Sequence, residues 1–143
     1  MARYNKIALS TLNNCPQTKE VVAPATTPVG SICLGTGAIA AAVNAEQGTA
    51  LYIADAAWCS GGDTDTDNAS GDTLIMQRPL ADNIYAALLA DSVNMTTSDF
   101  ALKVGADGEL VAATVGTDHV DFYGVEIYNN TTGSAQLVQV RKA

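Results

Sequence analysis

This sequence is short of charge. Charged residues occupy 15% of its 143 positions, aromatic residues 6%, and there is a single histidine. Globular chains carry about 25% charged residues, so the surface here must be built from neutral and small side chains. Ala, Thr and Gly together fill 51 positions. At 48% hydrophobic residues the chain lies outside the disordered class, which pairs low hydrophobicity with high charge. It lacks the Leu heptads and Lys/Glu pairs of a coiled coil. No apolar run approaches the roughly 18 residues of a spanning helix, so no membrane partner is expected. Nor does an apolar stretch of signal-peptide length follow the basic Arg3 and Lys6.

Bases are scarce and unevenly placed. All 15 acids and only Arg78 and Lys103 among the bases lie between Glu20 and Val140, while Arg3, Lys6, Lys19, Arg141 and Lys142 mark the two ends. An acidic body without a basic stripe repels phosphate backbones, so no nucleic-acid partner is expected. Chain ends tolerate charge because they are solvated. They would also suit docking onto an acidic partner.

The three cysteines, Cys15, Cys33 and Cys59, form no CxxC and have no histidine at zinc-ligand spacing. They read as small buried hydrophobes or inert thiols. His119, the only histidine, precedes a strand pattern in what reads as a turn. No G-x-S-x-G elbow and no phosphate-binding glycine loop accompanies it. Neither an enzyme nor a cofactor is expected. Asp63, Asp65 and Asp67 occupy positions 1, 3 and 5 of a calcium-loop pattern, but Asn68 stands at the required glycine and Leu74 at the bidentate glutamate. A solvated acidic loop is the better reading, with a calcium-dependent β module as a rival.

The pattern is all-β. Phe100, Leu102 and Val104 alternate with Ala101 and Lys103, the period of a half-buried strand. Asp107-Gly108 signals a hairpin turn, because Gly supplies a positive φ. Further strands are read at 30–35, 49–54, 73–78, 109–114, 121–127 and 136–141, at the spacing of a small barrel or sandwich. Residues 83–90 fit either a short helix or a buried strand, and the Ala-rich stretch 37–47 fits a helical turn or another strand. Residues 1–28 hold Pro16, Pro24 and Pro28, which bar a long helix or central strand. They are expected to form an extended N-terminal arm that buries Ile7, Leu9 and Leu12 on a neighbour, ahead of a β domain over 29–143.

Five segments taken in order carry a family resemblance. They are Thr27-Pro28-Val29-Gly30-Ser31-Ile32, AALLADSVNMTTSDF (86–100), LKVGADGELV (102–111), FYGVE (122–126) and LVQVR (137–141). Together they resemble the capsid decoration (cement) proteins of tailed bacteriophages, over residues 27–142. The resemblance implies a small β-barrel or β-tulip. It implies a homotrimer (or dimer) made in the host cytoplasm that binds major capsid protein on the outer surface of the head in the virion. Arg3, Tyr4, Lys6, Ile7, Leu9, Leu12, Arg141 and Lys142 would then supply capsid and self contacts. The alternative class is a host-surface or carbohydrate-binding module of a fibre or spike, with an aromatic platform at Trp58, Tyr52 or Tyr85.

Overall fold

A computed structural model describes residues 2–9, 17–41, 50–81 and 83–143, with the side chain of residue 59 left out. The architecture is all-β. The described residues form eleven strands, one 3-10 turn at Trp58–Ser60 and no α-helix.

Five strands close a barrel in the order β11 (Gln136–Lys142), β5 (Ile84–Leu89), β8 (Leu110–Ala112), β7 (Phe100–Val104), β9 (Phe122–Gly124). A four-stranded sheet stands beside it in the order β1 (Gln17–Val22), β4 (Thr73–Arg78), β3 (Leu51–Ala54), β2 (Ile32–Leu34). A short ribbon pairs β6 (Asn94–Met95) with β10 (Tyr128–Asn129). The larger core fills the barrel with Ile7, Tyr85, Leu89, Leu102, Leu110, Phe122 and Val138, and a smaller core packs Cys33, Ala54, Leu74 and Met76 under the sheet.

The ambiguous segment 83–90 is strand β5. Its antiparallel pairing with β11 runs from Ile84↔Arg141 to Leu89↔Gln136, and a strand bonded and buried this way outweighs a short helical periodicity. The hairpin read at Asp107-Gly108 joins β7 to β8 with Gly108 at φ 71. Its carbonyl also accepts the Ile32 N–H at 2.7 Å, tying the barrel to the sheet. Proline punctuation held as well: β1, between Pro16 and Pro24, sits at the sheet edge.

The second edge of β5 is covered by three separate segments. Leu9 N–H donates to Ile84 O at 2.9 Å and Ala86 N–H to Ile7 O at 2.7 Å. Leu88 N–H donates to Gly30 O at 2.9 Å, and Ala90 N–H to Leu110 O at 2.9 Å. Direct β5–β8 pairing is confined to Leu89↔Leu110, so the first residues of the chain take the place of a missing strand. Gly30 is held at φ 89, and a Cβ there would run into the Leu137 side chain.

The expected projecting arm over residues 1–28 therefore differs from the structure in its described parts. Ile7 is fully buried in the chain's own core, Leu9 packs on that core, and Gln17–Val22 is a strand paired with β4. The physical reason is the open backbone edge of β5, whose N–H and C=O groups need partners. Leu12 lies outside the described residues.

Ile7→Ala should destabilise the fold by about 2–5 kcal/mol, the range for emptying a filled aliphatic site, measured by denaturant unfolding. Deleting residues 1–9 should lower stability at least as much. Unchanged unfolding midpoints would show that these residues are not part of the fold.

Candidate functional site

The basic residues expected to face a partner are mostly engaged within the chain. Arg3 forms a two-pronged pair with Glu126, at 3.2 Å to Oε1 and 2.9 Å to Oε2, and donates to Leu137 O at 3.1 Å. Its guanidinium lies 3.7 Å from the centroid of the Tyr128 ring. Tyr4 Oη donates to Glu126 Oε1 at 2.8 Å, and Gln139 N–H donates to the same oxygen at 2.7 Å. Burial works against the Arg3 charge, but the Glu126 carboxylate outweighs it and holds the guanidinium protonated more firmly than usual. Burial, reinforced by donation to Glu126, pushes the Tyr4 phenol up. Arg141 pairs with Asp99 at 2.9 Å and lies over Tyr123, and the Lys142 ammonium stands 5.7 Å from the Phe122 ring centroid. Lys6 is exposed. Glu126 is 123 positions from Arg3 and no local pattern in the chain announces it.

The acidic loop does not assemble as a calcium loop. Asp63 Oδ1 accepts the Asp65 N–H at 3.0 Å and the Thr66 hydroxyl at 2.7 Å, the self-capping of an Asx turn. Asp65 accepts the Ala2 N–H. Asp65 and Asp67 line a cleft of about 260 Å³ with Glu109, whose carboxyl is pushed up by burial and by Asp107. Among the described residues no group of three metal-ligating side chains comes together.

His119 stands 3.6 Å from Asp121, half exposed. Asp121 itself is buried and accepts the Val104 N–H at 3.1 Å, and its carbonyl accepts Ala143 N–H at 3.0 Å. Beside it, Asp118 accepts Thr114 N–H at 2.8 Å and pairs with Lys103 at 2.9 Å. Asn130, fully buried, shares its amide among Leu89 O, Ala90 O and Ser134 O. These polar groups pin turns to strands.

Of the three aromatics named for a platform, Tyr85 is fully buried, with its hydroxyl accepting the Leu80 N–H at 3.1 Å. Tyr52 is partly buried, with the Lys19 ammonium 5.8 Å from its ring centroid. Trp58 alone is exposed, at 46%. Its indole Nε1–H donates to Asp55 Oδ1 at 3.0 Å, an oxygen that also accepts the Ala56 N–H. Asp55 Oδ2 accepts Gln77 Nε2–H at 2.8 Å, and Asn68 Nδ2–H donates to the Asp55 carbonyl at 2.9 Å. Asp55, Gln77 and Asn68 are all buried. A polar network built around a carboxylate three residues before the tryptophan was not read from the sequence; the Asp55-to-Trp58 spacing was its only local sign. No protein-family model and no curated protein matches this chain.

Cys33 is free and buried, and burial pushes its thiol up to about 12. It should resist alkylation at neutral pH until the fold is opened by denaturant, because the thiolate is the reactive form; rapid labelling of Cys33 in the native protein would contradict this. The Thr114 N–H, with Lys103, holds the Asp118 carboxyl below its usual range. A depressed native value contributes stability above the unfolded value, about 3.9, that is lost as pH falls through the native one. Asp118→Asn should therefore melt below wild type at neutral pH, with the gap closing as the pH falls through the lowered native value of Asp118. A gap constant through the acid range would remove Asp118 from the stabilising set.

Proposed function

We propose that this chain is a structural virion protein, a decoration protein that binds major capsid protein on the outer surface of a phage head and stabilises the shell. It acts by adhesion and turns over no substrate. One observation carries the reading: the buried carboxylates of Asp55 and Asp121 and the half-buried carboxylate of Glu126 are spent on the chain's own backbone and side chains. Asp55 holds Ala56, Trp58 and Gln77, Asp121 holds Val104, and Glu126 holds Arg3, Tyr4 and Gln139. A small closed barrel fastened in this way suits a part that must stay rigid under load.

The ordered segments quoted above for the decoration family supply the class. On this reading self-association as a homotrimer, or as a dimer, multiplies weak contacts, since linked copies gain avidity without new chemistry. Binding to the assembled shell alone shifts the shell's stability by mass action. Arg3 and Arg141 are each paired within the chain, with Glu126 and Asp99.

Heads purified from the virus that encodes the chain should contain it in many copies. Heads made without it should burst at lower temperature and regain wild-type resistance when purified protein is added back. Absence of the chain from purified heads, or unchanged bursting without it, would overturn the proposal.

A further inference from the structure

We infer that the outer face of strands β1 and β4, with Trp58 standing on it, is the attachment surface, and that it fits a protein partner presenting an apolar pocket bordered by Lys and Arg. The inference rests on the shell-binding reading and names the surface and the chemistry of its partner.

Strand register defines the face. Alternate side chains of a strand point to opposite faces, and β1 pairs with β4 as Val22↔Thr73, Glu20↔Ile75 and Thr18↔Gln77. Leu74 and Met76 face inward, into the smaller core. Val22, Glu20, Thr73 and Ile75 therefore share the outer face, with Gln77 on the same side but buried against Asp55. Gln77 is the residue that holds Asp55, and Asp55 holds the indole of Trp58, so the tryptophan is fastened to this same face. Val22 is 68% exposed. Two of the four large apolar side chains exposed among the described residues, Val22 and Trp58, thus belong to one surface.

The tryptophan is presented rather than merely exposed. Gly61 at φ 77 closes its turn, with the Gly62 and Ser60 N–H groups both donating to Ala57 O at 3.0 Å. A Cβ placed at Gly61 would meet nothing within 4 Å. Glycines in the turn leave the surroundings low, while the hydrogen bond to buried Asp55 restrains the orientation of the ring. A rigid aromatic costs little entropy to immobilise on binding, which is why tryptophan dominates interface hot spots.

Charge selects the partner. Two clefts flank the turn and share Ala57, Ser60 and Asp72; one, of about 450 Å³, adds Glu20, and the other, of about 270 Å³, adds Asp67. Neither is lined by a described Lys or Arg. Carboxylates beside an exposed tryptophan are complementary to a basic rim, which speeds encounter and excludes acidic surfaces.

The test uses the full chain and DNA-free heads of the encoding virus assembled without it, with binding read by co-sedimentation. Trp58 is the sole tryptophan, so its quenching by acrylamide reports the surface directly in the unaltered protein. We expect quenching to fall when heads are added. Trp58→Ala should weaken binding about thirtyfold. Glu20→Lys with Asp72→Lys should weaken it at least tenfold at low salt, and Ile127→Ala, on an exposed apolar residue elsewhere, should leave it unchanged. Wild-type binding with unaltered Trp58 quenching, or with undiminished affinity in both the tryptophan and the charge variants, would overturn the assignment and leave the shell-binding reading standing. Failure of the wild-type chain to bind would instead overturn that reading, and this inference with it.

Discussion

The whole barrel depends on how the second edge of β5 is satisfied. One edge of that strand is bonded along its length to β11, but β8 reaches the other at a single residue pair. An open edge beside a filled core would leave backbone donors without partners and invite pairing with other chains. Residues 7–9, Gly30 and Leu110 close it in sequence along the strand. Ile7 enters the core in the same step, so hydrogen bonding and apolar burial are coupled at one place. Gly30 sits at the middle of this seam, where a positive φ and the neighbouring Leu137 leave room for no side chain.

Around that seam the polar residues act as lacing. Glu126 gathers the guanidinium of Arg3, the hydroxyl of Tyr4 and the backbone of Gln139, which fastens the first residues over the barrel just before Ile7 is inserted. Asn130 does the same for the turn after β10, and Asp121 for the approach to β9. Charge-assisted and multiply shared bonds of this kind are worth more than isolated surface pairs. The Arg3–Glu126 pair gains further from its aromatic neighbours. A chain with so few bases thus uses two of them to hold its own ends.

With Arg3 and Arg141 paired within the chain, the remaining charge is predominantly acidic, and Glu20, Asp67 and Asp72 line the clefts beside the turn that carries Trp58. Buried Asp55 belongs to both regimes: it is part of the interior lacing, and it sets the orientation of a ring that faces solvent. On the proposed shell-binding reading, the rigidity of the interior would let a small surface present a fixed shape to a partner.

Much of the architecture was legible in the residues themselves. Alternation at Phe100, Leu102 and Val104, the Asp107-Gly108 turn and the regular spacing of short apolar runs required an all-β domain, because period and turn chemistry are local properties of the chain. The prolines likewise confined β1 to an edge. The class of fold and most strand positions follow from such short-range rules. What tertiary structure alone decided was where the strands' leftover hydrogen bonds would go. The first residues read as part of an arm that packs on a neighbour because nothing within them reveals that β5, some 75 positions later, lacks a neighbour over part of its length. The cations at the ends read as available because Glu126 and Asp99 are remote in sequence. Edge satisfaction and ion pairing join residues that are far apart along the chain, so they are settled only when the barrel closes.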